Sequence, residues 1–234
     1  MINNEPNFDF IARPYRWLEY LTFGPYLERC RFHFVENLGD RCRALILGDG
    51  DGRFTARLLA INPRITVDAV DCSAAMLQLL TGRVSRLGSS AENRLRALKM
   101  DVRYLQLRWE EQAYDLIVTH FFLDCLSEDD LATLLDKIGH RVGSDSLWLV
   151  SEFAIPTERP NSWVASLALA GLYRAFRMLT GLRVGQLPDY SRLFQQAGFS
   201  RIERKIHLGG LLVSELWKLN ANPSAAGGAR RPTF

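Results

Sequence analysis

The 234-residue chain is poor in cysteine: Cys30, Cys42, Cys72 and Cys125 show no CxxC spacing and no histidine pair beside them. That excludes a disulfide framework and a cysteine-zinc site, and no metal site is expected. Basic runs are also missing. The net charge is +3, and 25 of the 29 basic residues are arginines scattered along the chain. Nucleic-acid binding usually needs a concentrated basic face, so no nucleic-acid partner is expected. The longest uncharged apolar run, Val164–Tyr173, has ten residues and cannot span a bilayer. The start, MINNEPNFDF, lacks the basic-then-apolar order of a signal peptide. These absences predict a cytoplasmic protein without a transmembrane segment, and they leave its oligomeric state open.

What is present is an ordinary globular balance, 47% apolar and 24% charged, at a length that buries a full core. Residues 1–40 are rich in aromatics and punctuated by Pro14 and Gly24-Pro25, which predicts an N-terminal helical lid. An alternation of apolar strands and amphipathic helices then begins. Strands are predicted at Arg43–Leu47, Thr66–Val70, Leu95–Met100, Tyr114–Thr119 and Leu147–Phe153. Helices are predicted at Phe54–Ile61, from Ser73 to about Arg83, and at Glu128–Ile138, with a turn over Gly88–Asn93. The pattern implies an α/β fold with a mostly parallel sheet and helices on both faces. A helical apolar segment (Trp163–Leu179) and a short helix (Tyr190–Ala197) follow. Arg201–His207 and Gly210–Leu219 then read as an antiparallel pair closing the sheet. The core is expected over 41–219, with a flexible Pro/Gly-rich tail at 220–234.

The stretch Ala44-Leu-Ile-Leu-Gly-Asp-Gly-Asp-Gly-Arg53 joins the first strand to its helix. A dehydrogenase-type nucleotide fold wants G-x-G-x-x-G. Here Gly48 and Gly50 fit, but Arg53 stands at the third position and the glycine is Gly52. Asp49 and Asp51 would repel a pyrophosphate, and no Gly-Lys-Ser/Thr follows to make a P-loop. A ligand with an adenosine part, no phosphate and a positive charge suits the same loop. S-adenosylmethionine (SAM) is such a ligand: the glycines allow close backbone approach, and the acids face its sulfonium and ammonium. Asp71, at the end of the second strand, is placed to accept from both ribose hydroxyls. Asp101, after the third strand, is placed to accept from the adenine amino group. Cys72, Val102 and Thr119 are expected at the cofactor as well, and Met76 either floors the adenine pocket or packs in the core.

The pieces ALILGDGDG, VDAVDCSAAML, KMD and YDLIVTHFFLDCLSEDDL, spread over residues 43–153, resemble the class I SAM-dependent methyltransferases. The resemblance implies a Rossmann-like seven-stranded sheet with its last strand antiparallel, and SAM as cofactor. The N-terminal segment is similar in layout to the lid of ubiquinone/menaquinone-biosynthesis-type enzymes. The family usually carries an acid two residues before the first glycine, where this chain has Ile46. That role then falls to Asp49 or Asp51, or is lost.

His120, at a strand's C-terminal end, is the candidate general base. Tyr15 is expected near the methionine end of the cofactor, and Tyr20, His120, Asp124, Trp163 and Tyr190 near the acceptor. The expected function is methyl transfer to a small aromatic or lipophilic molecule. Its rivals are an RNA or protein methyltransferase and a non-catalytic SAM-binding module. Base-nitrogen methyltransferases of this family carry Asn/Asp-Pro-Pro-aromatic after the fourth strand, whereas this chain has Thr119-His-Phe-Phe122.

Overall fold

A computed structural model describes residues 25–105, 113–154 and 188–220. Seven strands form one sheet in the order β3-β2-β1-β4-β5-β7-β6. They are β1 (Arg43–Leu47), β2 (Thr66–Asp71), β3 (Leu95–Lys99), β4 (Tyr114–His120), β5 (Val142–Phe153), β6 (Phe199–His207) and β7 (Leu212–Leu219). Strands β1 to β5 run parallel. β7 is antiparallel to both of its neighbours, so it is the one reversed strand. The strand order turns around between β1 and β4. In an open α/β sheet that point opens a crevice at the strands' C-terminal ends.

The described helices are α1 (Tyr26–Phe32), α2 (Arg53–Ile61), α3 (Ala74–Ser85), α4 (Ser89–Glu92), α5 (Glu128–Gly139) and α6 (Tyr190–Gln196). Local chemistry fixes their starts. Ser73 Oγ accepts from Met76 N at 3.2 Å to open α3, and Ser127 Oγ accepts from Asp130 N at 3.1 Å to open α5. Two cores sandwich the sheet. On one face Leu131, Leu134, Leu135 and Ile138 of α5 and Phe194 of α6 pack on Leu45, Ile117, Trp148 and Trp217. On the other, Phe54 and Leu58 of α2 and Leu80 of α3 pack on Ala44, Ile46, Val67 and Val118. Trp148 and Trp217 face each other across β5 and β7, both fully buried. Each buried side chain of this size contributes about 2–3 kcal/mol.

Several boundaries differ from the sequence reading, β6 among them, which starts at Phe199 rather than Arg201. β5 starts at Val142 rather than Leu147, across a register shift opposite Tyr114 and Leu116. Ser146 holds that irregularity: its Oγ accepts from Gly143 N at 2.9 Å and donates to Tyr114 O at 2.7 Å. The turn at 88–93 contains the single helical turn α4. Leu208–Gly210 forms a 3-10 turn, so β7 begins at Leu212. Residues 1–24, most of the expected lid, and the whole of Trp163–Leu179 lie outside the described residues, as do Tyr15, Tyr20 and Trp163.

Candidate active site

The loop between β1 and α2 enters the crevice through three glycines, all with positive φ. They do different work. A Cβ on Gly48 would fall 2.3 Å from the Phe122 ring, and one on Gly52 would fall 2.7 Å from Leu80 Cα. Gly50 is the least crowded of the three, its Cβ position meeting only Met76 Sδ at 3.9 Å, an ordinary contact. Gly48 and Gly52 therefore let the chain pack against itself, while Gly50 leaves room for a ligand against the backbone.

The two loop aspartates also part ways. Asp51 is engaged by arginines: its carboxylate accepts from Arg53 Nε at 2.9 Å and from Arg83 Nη2 at 2.6 Å. Facing a cationic cofactor was the expectation for Asp51, and this pairing gives its charge to the protein instead. Asp49 turns inward. Its Oδ2 accepts from Thr55 N at 2.9 Å and Thr55 Oγ1 at 2.7 Å, capping α2 from outside the helix. Its Oδ1 is buried with no hydrogen-bond partner. Burial pushes the Asp49 carboxyl above the usual range, against the opposing hydrogen bonds from Thr55 and the charge of Arg31.

His120 closes the same corner. It is buried, its ring lies 4.5 Å from that of Phe54, and neither ring nitrogen has a hydrogen-bond partner. Burial, reinforced by Arg31, holds its pKa well below the ordinary value. A general base must reach the protonated form, and these surroundings oppose it, which weighs against the role expected for His120. Arg31 arrives on α1, whose Cys30 carbonyl accepts from Ser151 Oγ at 3.3 Å and Ser214 Oγ at 2.6 Å. The Arg31 guanidinium lies over the Phe121 ring at 5.7 Å. Neither Arg31 nor this docking of α1 carried a sequence signal, because the segment ERCRF reads only as a polar helix.

The remaining candidates divide similarly. Asp71 ends β2 with Oδ1 accepting from Ser73 N at 2.8 Å, which holds the carboxyl at the crevice edge beside the half-buried Cys72. Met76 is buried below Gly50. Asp101 is bound by Arg103, whose Nε donates to Oδ2 at 2.9 Å, so an adenine amino group would have to compete for it. Burial acts to raise the Asp101 pKa, but those hydrogen bonds outweigh it and the net shift is downward. Val102 sits in the core. Thr119 Oγ1 accepts from Trp148 Nε1 at 3.0 Å inside the α5–α6 core, which places it away from the cofactor contact expected of it. Tyr190 is buried with its hydroxyl on Glu215 Oε2 at 3.3 Å, so it binds protein where an acceptor contact was expected.

The segment after β4 turns sharply at the end of that strand. Phe121 has φ 53°, an uncommon value for a bulky residue, and the next two amides turn back into the protein. Phe122 N and Leu123 N both donate to Glu152 Oε1 at 2.8 Å. Glu152 was missed in the sequence, although an acid near the end of the apolar strand LWLVSEF was its signal. Among the described residues no cluster of His, Cys, Asp and Glu is arranged to hold a metal, and no helix is long and apolar enough to cross a membrane.

Residues 45–146 match the family described as a methyltransferase domain. No curated protein matches the chain. Among solved structures, it is similar to the mitomycin 7-O-methyltransferase MmcR, with TM-score 0.64 and 15% identity over 92% of this chain and 61% of that one. The pyocyanin biosynthetic protein PhzM gives TM-score 0.64 and 17% identity over 93% of this chain and 62% of that one. The N-methyltransferase NodS from Bradyrhizobium japonicum WM9 gives TM-score 0.56 and 14% identity over 83% and 97%. The chain thus spans about three fifths of MmcR and PhzM, and at these identities the likeness is one of fold. The sheet order and the methyltransferase-domain match over residues 45–146 agree with the resemblance to class I SAM-dependent methyltransferases.

Proposed function

We propose that this chain binds SAM at the β1/β4 switch point and methylates a small aromatic or lipophilic acceptor. One observation carries the reading. Asp49 Oδ1 and both His120 ring nitrogens are buried polar atoms without protein partners, Arg31 acts on both residues, and Asp49 adjoins Gly50. Leaving such atoms unpaired costs about 1–3 kcal/mol each, and an amino acid's ammonium and carboxylate would satisfy them. In this assignment Asp49 Oδ1 accepts from the ammonium, Arg31 and a His120 N–H serve the carboxylate, and Asp71 accepts from the ribose. Asp49 thereby supplies the acid that Ile46 lacks. Met76 and Gly50 form the apolar floor.

The bound cofactor supplies an electrophilic methyl group whose sulfur leaves as a neutral thioether when an acceptor lone pair forms the new bond. The protein's part is alignment and exclusion of water. Phe122 over Gly48 and Phe121 beside Arg31 wall the crevice with aromatic surface. Burying a charged acceptor against such walls without a partner is costly, which favours an uncharged, flat or lipophilic one.

Calorimetry tests the cofactor. S-adenosylhomocysteine should bind in the micromolar range, about −8 kcal/mol, and NAD should not. Labelled SAM offered to phenols, quinones, tRNA, DNA and amino acids tests the acceptor. Methylation of RNA alone, rising as salt is lowered, would overturn the small-molecule assignment.

A further inference from the structure

Helix α1 is held to the sheet by little apolar surface. Leu27 and Cys30 pack with Leu212, and Phe121, Phe153 and Leu208 lie partly buried against them. A helix of seven residues makes too few internal hydrogen bonds to be stable alone in water, so α1 depends on its docking. That docking matters at the crevice. Arg31 on α1 lies over the Phe121 ring at 5.7 Å, and its charge acts on both Asp49 and His120. Whatever loosens α1 withdraws that charge.

Two histidines meet at this joint. His33 ends α1 and His207 ends β6, and their rings stand edge to face with centroids 5.3 Å apart. His33 is exposed and His207 half-buried, so solvent protons reach both. His207 is tied to the anchor of α1 itself. Ser214 Oγ gives its one hydrogen to Cys30 O at 2.6 Å, so at 3.1 Å it accepts from His207 Nε2–H, which leaves Nδ1 to take up a proton. Among the described residues the charged groups that act on the pair are Lys205 and Glu203, both on β6. Their neighbours on the chain after α1 and on β7, Phe34 and Ser214, carry no charge. With both rings protonated, three positive charges would meet the single negative charge of Glu203. Burial lowers the pKa of both rings; Lys205 adds to this at His33, and His33 and then Lys205 add to it at His207. Neutral rings therefore favour docking. That support is complete above the ordinary histidine value of about 6.5 and is lost as pH falls from there through the lowered values.

We propose that His33 and His207 form an acid-sensitive latch: neutral, they let α1 seat Arg31 at the crevice, and protonated together they push α1 off β7. The release of α1 stands on the pair alone. Its consequence, a loss of cofactor affinity when Arg31 leaves, rests on the methyltransferase reading.

Cys30 reports on the latch in the full chain. It is fully buried where α1 docks, while Cys42 is exposed, so the ratio of their labelling by N-ethylmaleimide, read residue by residue in a mass spectrometer, cancels the reagent's own pH dependence. Between pH 7.5 and 5.5 the ratio should rise about tenfold in wild type. His33→Gln and His207→Gln each remove one of the two charges, and the glutamine amide at 207 still donates to Ser214. Both variants should match wild type at pH 7.5 and stay within about twofold of that ratio at pH 5.5. In NMR spectra of the histidine rings, His33→Gln should move the His207 titration to higher pH. Over the same pH range, wild-type affinity for S-adenosylhomocysteine should fall about tenfold further than that of His33→Gln. A ratio that stays flat in wild type, or rises equally in both variants, would overturn the latch, as would a His207 titration that His33→Gln leaves unmoved. Equal loss of affinity in wild type and His33→Gln would overturn the coupling to the crevice. Wild-type protein that does not bind S-adenosylhomocysteine at pH 7.5 would sink the methyltransferase reading instead, and labelling and NMR would still decide the latch.

Discussion

Replacing Asp49 by asparagine separates two jobs that one carboxylate performs. Oδ2 caps α2 through Thr55, and asparagine caps about as well as aspartate, so the fold should survive. Oδ1 is the atom without a protein partner, and there the change removes a negative charge and points an amide donor at the proposed ammonium site. A hydrogen bond to a charged group contributes about 1.5–3 kcal/mol, so S-adenosylhomocysteine should bind roughly 10- to 150-fold more weakly. Apoprotein stability should move the other way. Because the folded-state pKa of Asp49 is raised, its stabilising protonated form is lost as pH climbs from the ordinary carboxylate range through the raised value. At neutral pH the asparagine variant should therefore melt no lower than wild type. Wild type should also release a proton on binding, visible as buffer-dependent heats in calorimetry, and Asp49→Asn should not. Unchanged affinity would remove Asp49 from the site. Loss of affinity together with a lower apoprotein melting temperature would reduce it to a helix cap.

Gly50→Ala should fold, at a cost of about 1–3 kcal/mol for its left-handed φ, and should lose S-adenosylhomocysteine binding in calorimetry, whereas Gly52→Ala should fail to fold because its Cβ meets the Leu80 backbone. His120 contributes stability that is present above its unfolded-state pKa of about 6.5 and is lost as pH falls below it, since its folded-state pKa is depressed. Between pH 7 and 5, thermal melts of wild type should therefore show a component of destabilisation that His120→Leu lacks. Asp68 is nearly buried and accepts from Tyr114 Oη at 2.6 Å and Arg96 Nη2 at 2.7 Å. Asp68→Ala should lower stability in urea melts by about 3 kcal/mol while affinity for S-adenosylhomocysteine stays within about twofold of wild type.

The parallel sheet was legible because β1, β2 and β4 are buried on both faces and so read as short apolar runs, each closed by a residue that caps or turns. Ser73 and Ser127 open α3 and α5 through side chains that bond only three residues away, and of the two only Ser73 entered the sequence reading. The glycine loop was legible for the same reason, since positive φ at Gly48, Gly50 and Gly52 is a local property of the backbone. What each loop residue faces is not local. Asp49 and Asp51 are alike in sequence, yet Arg83, thirty-two residues on, takes Asp51, and α2 turns Asp49 inward. Thr119 and His120 are neighbours whose side chains fall on opposite faces of β4, one into the α5–α6 core and the other against Phe54. Glu152, Arg31 and Phe122 reach the crevice only once β5, α1 and the turn after β4 are packed together. The sequence alone determined the strands, the caps and the phosphate-free glycine loop, because short-range periodicity and backbone sterics specify them. Tertiary structure alone decided which charges are neutralised and which buried oxygens stay unpaired, because both depend on neighbours brought together from distant parts of the chain.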